Sequence, residues 1–263
     1  LWYIEQNNPR KINLKDDMQG SYLGPEYTQE QIEEQLKKIG AKFEILEEEN
    51  LLERTALDLS VGEAIGWFQG RMEFGPRALG GRSILGDPRS TMMQKNLNLK
   101  VKYRESFRPF APSILKDDLS TWFDTNVHSP YMLLVSKINE KKIMMMSEDE
   151  NKLFGIDKLN IKRSEIPAVT HIDYTARIQT VCEETNEKYF KLIKKFKKIT
   201  NCPILVNTSF NVRGEPIVNT PLDAFNCFMG TDLDKLVIGN CYLEKNKQNF
   251  LLKKDYKNEF ELD

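Results

Sequence analysis

Histidine and paired cysteine are scarce in this sequence, and that removes two kinds of site. The two histidines, His128 and His171, form no HxxH or HxxxH pair. No zinc- or iron-type site is therefore expected inside the chain, and no metal ligand is assigned to it. Cys182, Cys202, Cys227 and Cys241 form no CxxC, so they read as core thiols of a reducing cytoplasm, neither zinc ligands nor a disulfide frame. No apolar run approaches the ~20 residues of a membrane helix, and no signal peptide is visible. A net charge of −1 gives no overall field toward nucleic acid or a membrane surface. The opening residue is Leu1 rather than Met, which raises the expectation of a piece cut from a longer chain.

What is present begins with one stretch. The apolar run Ala64–Gln69 reads as a buried strand. It feeds Gly70-Arg-Met-Glu-Phe-Gly-Pro-Arg-Ala-Leu-Gly-Gly-Arg-Ser-Ile-Leu-Gly86. Glycines let backbone approach a ligand closely, and arginines offer forked donors to phosphate or carboxylate. The bland alternative is a glycine-rich turn with ordinary surface ion pairs. Charge distribution adds weight to the first reading: residues 71–108 hold nine basic and three acidic residues, net +6, and the rest of the chain is net −7. Arg71, Arg77 and Arg82 are the first candidates, and Lys102, Arg104 and Arg108 form a second basic wall.

Along the chain, residues 1–27 read as irregular, with Trp2–Ile4 as the end of some element. Thr28 and Gln31 form a capping box for a helix ending at Gly40. Phe43–Leu46 is a short strand, and Asn50 caps a second helix with Leu52, Ala56 and Leu59. Ser83–Leu85 is a strand; Asp87-Pro88 starts a helix. Phe110–Leu115 is apolar, Asp118–Phe123 a short helix and Tyr131–Val135 a strand. Residues 138–166, with Met144, Met145 and Met146, read as a surface insertion. Arg177–Val181 alternates as a strand, preceded by Thr170, His171 and Asp173; His171 reads equally as a structural histidine. Tyr189, Leu192, Ile193, Phe196 and Ile199 make one helical stripe, flanked by Lys191, Lys194, Lys195, Lys197 and Lys198. Ile204–Val206 is a buried strand running into Asn207, Ser209, Asn211 and Gly214, a second oxyanion surface or an Asx-rich turn. Thr220 and Pro221 open a helix that stops at Gly230, Leu236–Ile238 is the last strand, and the tail from Lys245 is polar and loose. Helices alternating with strands give an α/β or α+β class.

The motifs resemble one family. Gly66–Gly80, Tyr103–Pro112, Val169–Asp173, Thr175–Val181 and Asn207–Pro216 occur in the order and spacing of the nodulation and antibiotic O-carbamoyltransferases. The resemblance lies in the C-terminal, YrdC-like part and implies a twisted mixed sheet flanked by helices. It further implies residues 1–49 as the tail of an absent actin-like domain plus a linker helix, 50–245 as the YrdC-like domain, and 246–263 as a polar tail. The implied activity is formation of carbamoyl adenylate from carbamoyl phosphate and ATP with Mg²⁺. The implied division leaves the acceptor hydroxyl, and a transition metal held by histidines, in the absent half. Arg71, Arg77, Arg82 and Arg108 would then act on the reacting groups. Lys102, Arg104, Thr170, His171, Asp173, Arg177, Asn207, Ser209 and Asn211 would bind substrate or nucleotide. Tyr174 stands where the family usually has Gly, and Gly86 where it often has Ala. Two other readings remain: a threonylcarbamoyl-adenylate synthase acting for tRNA, and a non-catalytic RNA- or anion-binding module using the lysine face.

Overall fold

The computed structural model describes residues 7, 16, 18–159, 161–253 and 256. The expected element end at Trp2–Ile4 and the last residues of the tail lie outside these. Strands β1 (Glu44–Ile45), β2 (Ile65–Phe68), β3 (Arg82–Gly86), β4 (Ala111–Leu115), β5 (Leu134–Lys137), β6 (Thr175–Val181), β7 (Ile204–Ser209), β8 (Lys235–Ile238) and β9 (Cys241–Glu244) form one open sheet. Its order is β1-β9-β8-β2-β3-β7-β4-β6-β5. The β2/β8 and β4/β6 pairs are parallel and the remaining pairs antiparallel. The architecture is therefore a mixed α/β fold, as the sequence implies.

The longer helices are α1 (Gln29–Lys38), α2 (Glu48–Ser60), α7 (Glu187–Thr200) and α8 (Pro221–Gly230); short ones are α3 (Met93–Asn96), α4 (Leu119–Trp122), α5 (Glu148–Lys152) and α6 (Gly155–Leu159). The expected capping box of Thr28 with Gln31 forms, and Thr220, expected as a cap, forms one with Asp223, as Ser147 does with Glu150. On α7, Asn186 Oδ1 accepts from Tyr189 N–H, and Asn201 closes the helix in the left-handed region. Tyr189, Leu192, Ile193 and Phe196 are fully buried, but Ile199 is exposed. Each such buried side chain contributes ~1.5–3 kcal/mol, against ~0.2–1 for an exposed ion pair, so the stripe rather than the lysines seats α7. The lysines are largely paired within the chain: Lys191 to Glu48 and Glu187, Lys195 to Glu49, Lys197 to Asp118. No helix among the described residues is long and apolar enough to cross a membrane.

Several expectations shift. The second helix starts at Glu48, with Glu47 as its N-cap, so Asn50 lies in its first turn. Asp87 caps no helix: its carboxylate takes the Arg89 backbone N–H at 2.8 Å and the guanidinium at 2.7 Å, and helix resumes only at Met93 before a π-helical turn, Leu97–Val101. The strand expected at Tyr131–Val135 begins three residues later, because Met132 has φ +55°. Leu236–Ile238 is not the last strand, since β9 pairs back on β8 through the two-residue turn Gly239-Asn240. The stretch 138–166 is not wholly superficial: Arg163, Ser164 and Ile166 are buried. The tail from Lys245 holds two 3₁₀ turns, and Tyr256 is buried over Gly230, where a Cβ would lie 2.3 Å from its ring.

The strand directions place the site. β3 runs antiparallel to β2 and β7, and β4 antiparallel to β7 and parallel to β6. One end of the sheet therefore collects the C-terminal ends of β2 and β7 and the N-terminal ends of β3, β4 and β6. Nearly every candidate residue lies at that end.

Candidate active site

The loop joining β2 to β3 is folded around an acid. Glu73 is buried, and its Oε1 accepts N–H bonds from Leu79 at 2.6 Å, Gly81 at 2.7 Å and Arg82 at 3.3 Å. Gly81 must be glycine, since a Cβ would sit 2.8 Å from Arg71 O and 3.2 Å from the Glu73 carboxylate. The three arginines divide. Arg82 is fully buried, with its guanidinium 3.5 Å above the Phe68 ring. It donates to the carbonyls of Gln69, Gly70, Gly81 and Pro25 at 3.0–3.2 Å, so it clamps the loop rather than facing outward. Burial pushes its pKa down to about 10, which leaves it charged at neutral pH. Arg71 is half-exposed and held by Gly24 O at 3.2 Å and Glu26 at 3.5 Å. Arg77 is exposed and has no ion pair among the described residues.

At the end of β7, Asn207 is buried and donates to Ala78 O at 3.1 Å and to Gln179 Oε1 at 2.8 Å. Gln179 donates in turn to Leu79 O at 2.7 Å and accepts from Ser113 at 2.5 Å. This network ties the arginine loop to β4, β6 and β7. Lys102 is buried against Ser209 O at 2.5 Å, Ser209 Oγ at 3.2 Å, Asn211 O at 2.9 Å and Asn211 Oδ1 at 2.7 Å. Burial, then the Arg104 charge, pushes it down to about 7. Ser209 Oγ also donates to Asn211 Oδ1 at 2.7 Å. Ser209 and Asn211 thus turn their oxygens to Lys102. Arg104 is half-buried, its Nε on Asn98 Oδ1 at 2.7 Å and its guanidinium 5.0 Å from the Phe110 ring; burial, then Arg108, pushes it down to about 10. Asn98, fully buried, also donates to Ser106 O and Arg108 O, at 3.1 and 2.8 Å, and so shapes the whole 104–108 turn. Arg108 is exposed and paired with Glu105 at 2.9 Å. Tyr103, between the two cations, has φ +48°, the kind of strained conformation that clusters at functional sites.

At the start of β6, Thr170 is buried, bonded to Ile166 O at 2.8 Å and to the Ser164 hydroxyl at 2.7 Å. Asp173 accepts from Thr175 Oγ1 at 2.7 Å, which lowers its pKa. Tyr174, where the family usually has Gly, has φ +62°. At Gly86, the other departure, Met93 Sδ fills the space, 2.7 Å from where a Cβ would stand. His171 is half-buried; burial lowers its pKa, Asp173 opposes, and Arg177 and Arg163 lower it further. His171 and Asp173 line a cleft of about 320 Å³ with Gln94, Phe107 and Pro109. Arg177 has a buried Nε with no partner among the described residues. Burial, then the nearby Arg77 charge, lowers its pKa.

The fold thus brings the expected residues to one end of the sheet and then sorts them. Arg82, Lys102, Thr170 and Asn207 point into protein. Arg77, Arg104, Arg108, His171, Asp173 and Arg177 remain at least partly accessible. Among the described residues no group of three or more His, Cys, Asp or Glu is placed to hold a metal ion. Sequence reasoning missed Glu73, Asn98 and Gln179. Glu73 was legible only as a lone acid among arginines, and the two amides carried no signal.

The carbamoyltransferase C-terminus family model matches residues 56–245. Over its full length the chain is 51% identical to protein sll1178 of Synechocystis, covering 43% of that relative. It is 40% identical to nodulation protein NolNO of Sinorhizobium fredii, over 88% of the chain and 32% of the relative. It is 31% identical to 3'-hydroxymethylcephem-O-carbamoyltransferase of Amycolatopsis lactamdurans, over 71% of the chain and 32% of the relative. The chain spans less than half the length of each of these relatives. The match over 56–245 contains the arginine loop, the Lys102–Arg108 turn and the Asn207–Asn211 strand end together, and this chain belongs to the carbamoyltransferase C-terminal family.

Proposed function

We propose that this chain carries out the activating half of an O-carbamoyl transfer: it binds carbamoyl phosphate and ATP at this end of the sheet and forms carbamoyl adenylate. One observation carries the reading. Arg77 and Arg177 are neighbours of like charge, neither has an acidic partner among the described residues, and the Arg177 Nε is buried and unpaired. Two cations close enough for their charges to interact, with no carboxylate partner among the described residues, favour a bound anion. Membership of the family and its relative named as a cephem O-carbamoyltransferase supply the chemical class.

In this reading carbamoyl phosphate loses its phosphate to water, and the released carbamate is the nucleophile. Its oxygen bonds to the α-phosphorus of ATP as the bond to the pyrophosphate oxygen breaks. The protein neutralises charge and aligns the two anions, which is the main demand of such a step. Arg77 and Arg177 hold phosphate oxygens, and Arg104 and Arg108 provide further positive charge at the same end of the sheet. Arg82 and Lys102 fix the two loops from inside. The oxygens of Ser209 and Asn211 already face Lys102, so Mg²⁺ would be carried by the nucleotide phosphates. The acceptor hydroxyl, and a histidine-bound transition metal, belong to a domain outside this chain.

Incubation with Mg²⁺, ATP and carbamoyl phosphate tests this. Pyrophosphate should appear only when both substrates are present, and Arg177→Ala should suppress it while far-ultraviolet dichroism stays unchanged. Binding of both substrates with no pyrophosphate would overturn the activating role.

A further inference from the structure

Residues 21–26 lie upstream of residues 56–245, which the family model matches, yet they run along the arginine loop as a strap. Phe74 N–H donates to Ser21 O at 2.7 Å, and Ser21 Oγ to Phe74 O at 2.6 Å. Gly24 N–H donates to Met72 O, and Met72 N–H to Pro25 O, both at 2.9 Å. Arg82 reaches the same Pro25 carbonyl. The approach is close enough that a Cβ on Gly24 would sit 2.9 Å from Met72 O. Ser21 holds φ +71° to make the turn, a conformation that costs free energy in a non-glycine residue and persists only where its surroundings enforce it.

Tyr22 is the strap's inward side chain. Its hydroxyl donates to Leu79 O at 2.7 Å and accepts from Asn186 Nδ2 at 2.9 Å. Asn186 is also the N-cap of α7. Leu79 O is the atom that Gln179 holds from β6. Two donors from separate elements therefore fix the carbonyl just beyond Arg77. On its other side Arg77 has only Gly75, at φ +133°, and Pro76.

We propose that Tyr22 is a positioning residue for the anion site, setting Arg77 through the Leu79 carbonyl, and that the strap is a working part of the carbamoyl-activating unit. The inference rests on the anion-site reading above. It gives a segment upstream of residues 56–245 a direct mechanical link to the cationic loop. Anything that displaces residues 21–25 would shift Arg77 as well.

The test uses the full chain and two probes, inorganic tripolyphosphate and carbamoyl phosphate, titrated by calorimetry. Tyr22→Phe keeps the ring and removes both hydrogen bonds; affinity should fall about fivefold. In an Arg77→Ala background the same substitution should change affinity no further, because its effect runs through Arg77. A merely structural role would give equal losses in both backgrounds, and that result overturns the proposal. So does unchanged affinity in Tyr22→Phe when the wild-type chain binds. No binding of either probe by the wild-type chain refutes the anion site itself, and the proposal with it. Ser21→Ala, which removes only the 2.6 Å bond to Phe74 O, should weaken binding in the same Arg77-dependent way.

Discussion

Arg77 and Arg82 belong to one loop and one charge count, yet the structure predicts opposite consequences for their loss. Arg82→Ala removes four bonds to main-chain carbonyls and the cation stacked on Phe68, all in a fully buried setting. The carbonyls of Gln69, Gly70, Gly81 and Pro25 would lose that donor. Removing a buried charged partner of this kind costs about 3–5 kcal/mol. At ~2–4 °C per kcal/mol for a chain of this size class, the melting temperature should fall by about 6–20 °C. Arg77→Ala touches no folded-state partner among the described residues, and its stability should stay within about 0.5 kcal/mol of wild type. Its anion affinity should instead fall by about tenfold to a hundredfold, the ~1.5–3 kcal/mol of a charged hydrogen bond. Thermal melts followed by far-ultraviolet dichroism, together with calorimetric titration of carbamoyl phosphate and Mg–ATP, separate the two. An Arg82→Ala chain that melts with wild type but loses ligand would make Arg82 a ligand group and refute the clamp. An Arg77→Ala chain that loses many degrees would refute the assignment of Arg77 to the outside.

Three further outcomes follow from local geometry. The His171 pKa is lower in the folded than in the unfolded state, so between the folded value and ~6.5 the unfolded chain binds more protons. Stability should therefore fall as pH drops below about 6.5, and His171→Gln should flatten that fall in urea titrations at successive pH values. Gly80→Ala forces φ +109° on a residue whose Cβ would lie 2.3 Å from the buried Tyr189 ring, and should destabilise by about 3 kcal/mol in equilibrium unfolding. Tyr174→Gly relieves a φ of +62° worth about 1 kcal/mol but frees the unfolded chain by ~0.5–1; its denaturation midpoint should stay close to wild type.

How much of this was readable beforehand depends on whether a residue's role is local. The capping box at Thr28 and the cap at Thr220 are legible because their partners lie three residues away. Asp87-Pro88 carried the same kind of signal and failed, because Arg89 was nearer to the carboxylate than any helical N–H. β9 was legible in principle, since Gly239-Asn240 between two apolar runs is a hairpin turn, but four residues give little alternation to read. The site was legible as a set and illegible as a division. Composition marks Gly70–Arg108 as cationic; it does not say which cations face in.

That division follows from register, which a sequence does not print. Arg82 is the first residue of β3 and pairs with Phe68 across the ladder, so its side chain is committed to the sheet and finds the carbonyls where β2 ends. Arg77 stands in the loop before pairing begins, and nothing commits it. Lys102 follows the π-helical turn and meets the end of β7, where four oxygens exceed the three protons of an ammonium and hold it inside. Arg177 is paired with Val135 in the outermost ladder, close enough to Arg77 for their charges to interact. Arg82, at the first ladder position of its strand, is thus a clamp, while Arg77 in the loop before it and Arg177 on the strand next to the sheet edge stay available. By this reasoning moving the arginine, as in the pair Arg77→Ala with Ala78→Arg, should not restore anion binding. Ala78 is buried and its carbonyl is held by Asn207, so a guanidinium there would have to be buried without a partner or displace the chain from Asn207, and should unfold the loop. Recovery of wild-type affinity in that double variant, measured by the same titration, would show that charge count rather than position makes the site.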